Sequence, residues 1–146
     1  MQTTAAGHPL LVCLTKLEFT KEAISKWAHK SLCATAQVVS DGLWCFQAVT
    51  ACGATHERTV TGGGAASVKL DKFRAVNTML GNLKTAFAGT YHSFDFVKYA
   101  HRYLAEVQYR FNRRFDLSVI LVRLLRASSV TQPHPERLIR AAELRG

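Results

Sequence analysis

The chain has 146 residues, 48% hydrophobic, 20% charged and 10% aromatic, with a net charge of +9. That composition excludes a disordered chain and suits one domain with a core of ordinary size. No apolar run reaches the roughly 18–20 residues of a membrane span, and the early run at 9–14 is too short for a secretory leader.

Residues 9–17 read as a strand, rich in Leu and Val and preceded by the turn-like Ala6-Gly7-His8. Thr20 is placed to cap the next helix, Phe19 to pack back on Ile24 as a staple, and Ile24, Trp27 and Ala28 to form its apolar stripe. Residues 36–41 form a short apolar run ending in Asp41, with Gly42 next. Such a run suits a buried strand whose last residue projects at the carboxyl end of a sheet. Residues 43–51 read as a short helix closed by Gly53, and 55–61 as a further strand. Strand and helix alternate, the α/β pattern in which connected strands run parallel.

Gly62-Gly63-Gly64 lacks the Lys-Ser/Thr pair of a phosphate loop and reads as a mobile loop. From Asp71 the pattern is helical. Asp71 caps a helix with the stripe Phe73, Val76, Leu80, Leu83 and Phe87, stopped by Gly89. A second helix covers 94–114, with Phe96, Ala100, Tyr103, Leu104, Val107 and Phe111 on one face. Asp116 caps a third, which turns Leu117, Ile120, Leu121, Leu124 and Leu125 inward. Pro133 and Pro135 end the compact part, and a short helix follows from 135 to about 144. Cys13, Cys33, Cys45 and Cys52 lack metal-ligand spacing and read as buried small hydrophobes.

Three groups of residues can carry chemistry. Asp41 is placed to face a ligand or metal; the same residue is also an ordinary strand-ending turn former. Asn77, Gly81 and Lys84 share one helix face, because seven residues make two turns. A mid-helix glycine costs about 1 kcal/mol against alanine, and close approach by a backbone or a ligand is the usual reason for one. The alternative is an exposed polar face with a helix-packing glycine. Arg110-Phe111-Asn112-Arg113-Arg114 is a basic, aromatic-punctuated helix end, suited to phosphates and bases or to the helix dipole. Residues 94–146 hold ten basic and five acidic groups, so the charge excess lies in the second half and would attract phosphate backbones.

Val38-Val39-Ser40-Asp41-Gly42 is followed by Val76-Asn77-Thr78-Met79-Leu80-Gly81-Asn82-Leu83-Lys84, then Gly89-Thr90-Tyr91-His92. Next come Tyr99-Ala100-His101-Arg102-Tyr103-Leu104 and Tyr109-Arg110-Phe111-Asn112-Arg113-Arg114. In this order they resemble the carboxyl-terminal part of insertion-sequence transposases of the ISXO type, in the DDE superfamily, over roughly residues 2–144. The resemblance implies a ribonuclease H-like α/β fold that holds two divalent metals, magnesium or manganese, for in-line attack on DNA phosphodiesters. Asp41 matches the second catalytic position and Asn77 the third, both on the metals. Lys84 matches a phosphate-gripping lysine, and Tyr91, His92, Arg110, Arg113 and Arg114 join it as expected DNA contacts.

The family's first catalytic Asp has no match in these 146 residues. The expectation is a partial ribonuclease H-like fold without its first strand, followed by carboxyl-terminal helices. Residues 1–130 would be a truncated catalytic domain and 131–146 a tail. Such a chain would be inactive alone, cytoplasmic and DNA-associated, with insertion-sequence ends, intact transposase or a second copy as partners and no membrane. The alternative is a non-catalytic fragment that binds DNA or intact transposase as an inhibitor, or a product that does not fold.

Overall fold

The computed structural model describes residues 1–62, 64, 68–90 and 96–136. The strands are β1 (Gln2–Thr3), β2 (Pro9–Leu11), β3 (Gln37–Ser40) and β4 (Thr55–Arg58). The α-helices are α1 (Lys21–Ser31), α2 (Asp71–Thr90), α3 (Phe96–Asn112) and α4 (Leu117–Val130), and a 3-10 helix covers Trp44–Cys52. The described residues are thus mixed α/β, with two separate two-stranded sheets. The chain divides into two compact units, Lys16–Met79 and the pair of segments Met1–Thr15 and Leu80–Gly146.

In the unit 16–79, the Thr20 hydroxyl accepts the Ala23 N–H at 3.2 Å and so caps α1. Glu22 in its first turn and His29 and Lys30 in its last suit the helix dipole. Ile24 and Ala28 bury one face of α1 against Cys45 and Val49 of the 3-10 helix, with Trp27, Leu32 and Phe46 packed around them. The predicted staple differs: Phe19 is largely exposed, and its ring meets the edge of Phe46 at 6.3 Å.

β3 and β4 pair in parallel, Gln37 opposite Thr55 through Ser40 opposite Arg58, with the 3-10 helix as their crossover. Two glycines make this unit possible. Gly53 ends the 3-10 helix at φ 90°, and a Cβ there would lie 3.1 Å from the Ala34 Cβ. Gly42 turns the chain after β3 at φ 94°, where a Cβ would meet the Val60 Cα at 3.1 Å.

The other unit begins with β1 and β2, paired antiparallel with an irregular register. The strand predicted over 9–17 stops at Leu11, because from Val12 onward the backbone pairs with side chains of α3 rather than with a strand. Ala100 and Leu104 are the buried centre of α3, as its stripe predicts.

α4 departs from expectation. Leu117, Leu121, Leu124 and Leu125 are each 60–67% exposed, and only Val119 and Ile120 are half-buried. Periodicity states which side chains share a face, and here few of the described residues cover that face. Its Asp116 caps no backbone group and instead accepts the Ser118 hydroxyl at 2.9 Å. In α2 the buried residue is Met79, Leu80 is exposed, and the helix continues through Gly89 to Thr90. Cys45 is buried on the 3-10 helix and Cys52 half-buried, but Cys13 and Cys33 lie in connecting segments and are exposed. The predicted loop around 63–67 and the tail helix fall largely outside the described residues.

Ile24 is 3% exposed and touches both partners of the α1 core. Ile24→Ala is expected to cost about 2–5 kcal/mol, read as a lower midpoint in a thermal or urea melt followed by circular dichroism.

Candidate functional site

Asp41 sits immediately after β3 on the Gly42 turn and is exposed. Its Oδ1 accepts the Leu43 N–H at 3.3 Å, which fixes the carboxylate over its own turn. Arg58 holds the same turn from β4, its Nε donating to the Gly42 carbonyl at 2.8 Å. Ser40, buried beside Asp41, shares a 2.9 Å hydrogen bond with His56 Nε2. Neither Arg58 nor His56 is anticipated from the sequence. The signal for Arg58 is the parallel register, which sets it opposite Ser40.

Asn77 and Lys84 lie two turns apart along α2. Asn77 is half-buried, and its Nδ2 donates to the Val68 carbonyl at 3.5 Å, a weak bond that leaves its oxygen unused among the described residues. Gly81 faces open space: a Cβ there would touch nothing within 4 Å. Among the described residues no packed backbone therefore accounts for this glycine. Lys84 is exposed and has no hydrogen-bond or ion-pair partner among the described residues. Asp41 and Asn77 belong to the unit 16–79 and Lys84 to the other. Tyr91 and His92 lie outside the described residues.

The basic end of α3 is engaged with its own chain. Asn112 clips Val12 with both ends of its amide, Oδ1 accepting the Val12 N–H at 2.8 Å and Nδ2 donating to the Val12 carbonyl at 3.0 Å. Gln108 Oε1 accepts the Leu14 N–H at 2.7 Å. Arg114 donates to the carbonyls of Pro9, Leu10 (3.2 Å) and Phe111 (2.9 Å). Its guanidinium also lies 4.1 Å from the Phe111 ring centre and 4.3 Å from that of Phe115. Arg113 stacks on Tyr109 at 3.9 Å, and Arg110 pairs with Glu106 at 3.1 Å on the exposed side.

The Thr35 hydroxyl beside the Cys33 sulfur holds that exposed thiol below its ordinary value. Among the described residues no three His, Cys, Asp or Glu side chains gather to hold a cation. No described helix is long and apolar enough to cross a membrane.

The family model of the ISXO2-like transposase domain matches residues 2–112. No curated protein and no solved structure matches the chain. The matched range runs from β1 to Asn112, the residue that ties α3 to the amino-terminal segment. Asn112→Ala is expected to cost about 1–3 kcal/mol, because the Val12 N–H and carbonyl both lose their partner. Hydrogen exchange should localise the loss, with the Val12 amide deprotected well before the α1 core.

Proposed function

Because the chain belongs to the ISXO2-like transposase domain family, we propose that its exposed α2 face and basic helices bind DNA phosphates without cleaving DNA when the 146-residue chain acts alone. The class is a DDE transposase of an insertion sequence. In the proposal Asp41 and Asn77 are the metal-facing positions, Lys84 grips a phosphate, and Arg110 and Arg113 add further DNA contacts. Tyr91 and His92, which lie outside the described residues, would join them.

The observation that carries the DNA reading is the α2 face. Lys84 is exposed and unpartnered among the described residues, and Gly81, one turn before it, leaves bare backbone open to a ligand. A glycine in mid-helix costs about 1 kcal/mol against alanine, and among the described residues nothing packed on Gly81 offsets that cost. A DNA backbone lying along the face would.

When bound, the divalent metals of this family supply Lewis-acid activation of the attacking water or DNA 3′-hydroxyl. The donors among the described residues do not make up such a centre. Asp41 offers one carboxylate and Asn77 a neutral amide, so one negative charge would face the four positive charges of two divalent ions. Asp41 would contribute a ligand oxygen held by the Leu43 N–H and by the Arg58-clamped turn. Arg114 is committed to carbonyls of its own chain, and its contribution to DNA binding is the positioning of α3.

Incubation with magnesium or manganese and a labelled insertion-sequence end is expected to leave the DNA uncut. Cleavage that is lost in Asp41→Ala would overturn this. The affinity for the same DNA should fall steeply with salt, by a log–log slope of about −0.9 for each phosphate contacted. Lys84→Ala should reduce that slope by about one. Gly81→Ala should raise the melting temperature yet weaken DNA binding, which separates a ligand-facing glycine from a merely tolerated one. A flat salt response sinks the DNA-binding reading.

A further inference from the structure

The turn after β3 carries two exposed groups that the DNA reading does not use. Arg58 donates its Nε to the Gly42 carbonyl at 2.8 Å, and its two Nη groups have no partner among the described residues. The Nε contact holds the guanidinium on the turn and leaves unused the edge between the Nη groups, which suits a bidentate phosphate contact. Trp44 follows Gly42 by two residues and is 57% exposed. The α1 core takes up Trp27 and Phe46 but not this ring. Lys21 Nζ lies over the Trp44 ring, 5.6 Å from its centre.

The chemistry of the two groups selects an occupant. An apolar partner would cover the indole and leave the Arg58 fork unpaired. An acidic partner would meet the fork and leave the indole without a planar group to stack on. Duplex DNA offers phosphates, but its bases are stacked on one another and closed to a protein ring. An unpaired nucleotide carries both parts, an anion for the fork and a π-face for the indole. Two residues of chain span at most about 7 Å, so the carbonyl that Arg58 holds and the Trp44 Cα are close neighbours. All of these residues belong to the unit 16–79.

We propose that the turn after Asp41 is a site for one unpaired nucleotide of a DNA strand, with its phosphate on the Arg58 fork and its base on the Trp44 ring. The site rests on the DNA reading and deepens it. The α2 face attracts any phosphate backbone, whereas the turn beside Asp41 selects a strand with a free base.

Anisotropy titrations of the full chain test this with a labelled oligothymidylate of about ten residues and a duplex of equal length. EDTA is present so that no metal bridges protein and phosphate. Trp44→Ala should weaken single-strand binding at least about fivefold and duplex binding by less than about twofold. Trp44→Phe should keep most of the single-strand affinity yet abolish the quenching of tryptophan fluorescence by the oligonucleotide, because the remaining Trp27 is packed against the α1 core. Arg58→Gln keeps an N–H for the Gly42 carbonyl and loses the charge, so the single-strand salt slope should fall by about 0.7. Phe115→Ala removes an exposed ring from the other unit and should leave single-strand binding within about twofold. Circular dichroism melts check that each variant is folded. Equal losses on both DNAs in Trp44→Ala, an equal single-strand loss in Phe115→Ala, quenching that persists in Trp44→Phe, or an unchanged slope in Arg58→Gln would each overturn the proposal. The DNA reading would survive those results as long as Lys84→Ala still lowers the duplex salt slope. Failure of either DNA to bind at low salt would remove the reading and the proposal together.

Discussion

An extended backbone carries an N–H and a carbonyl at every residue, and wherever it is shielded from water those groups need partners. The segment from Pro9 to Leu14 meets that demand in an unusual way. It gains only a short antiparallel neighbour in β1, and past Leu11 it has no strand at all. The carboxyl-terminal half of α3 takes the strand's place. Asn112 offers an acceptor and a donor to Val12 as a β-ladder residue would, Gln108 accepts from Leu14, and Arg114 closes the row at Pro9 and Leu10. Two segments about a hundred residues apart in sequence are joined largely through side-chain amides and one guanidinium.

That arrangement changes the meaning of the basic helix end. From sequence, Arg110, Arg113 and Arg114 are three equivalent cations suited to phosphate. In the structure they are graded. Arg114 spends its donors on carbonyls, Arg113 lies flat on Tyr109, and Arg110 keeps an exposed charge next to Glu106. A guanidinium bound to neutral carbonyls keeps its charge, so it still adds to the long-range field that draws in DNA. It gives up the geometry for a bidentate phosphate contact. Lys84, by contrast, is exposed and without a partner among the described residues, so it can supply a short-range contact.

Local chemistry was legible in the sequence where a single residue type determines the outcome. Thr20 caps α1, Gly53 closes the 3-10 helix, and the glycine after Asp41 turns left-handed, each because few other residues do the same work there. The parallel pairing of β3 with β4 followed from the strand–helix–strand order. What required the whole chain was not legible. The apolar stripe of α4 was plain, but whether it is covered depends on residues far away, and few of the described residues cover it. Residues 12–17 looked like strand because their composition is that of strand; only the side chains of α3 reveal why pairing ends at Leu11. For the candidate site, the positions of Asp41 and of the α2 face could be read ahead, and the Arg58 clamp could not, since it exists only once β4 lies in register beside β3.

Binding and cleavage make different demands on such a chain. Phosphate attraction depends on cations that are exposed, and it tolerates imprecision because Coulomb forces fall off slowly. Metal chemistry depends on several oxygens held within a fraction of an ångström, and each missing carboxylate removes a full charge from the balance. Asp41 is well held, through its own turn and through Arg58, and brings one negative charge. Asn77 supplies an oxygen without charge. The cations that attract phosphate and the oxygens that would face a metal are thus carried by different residues, and the two demands separate along the line between long-range and short-range forces.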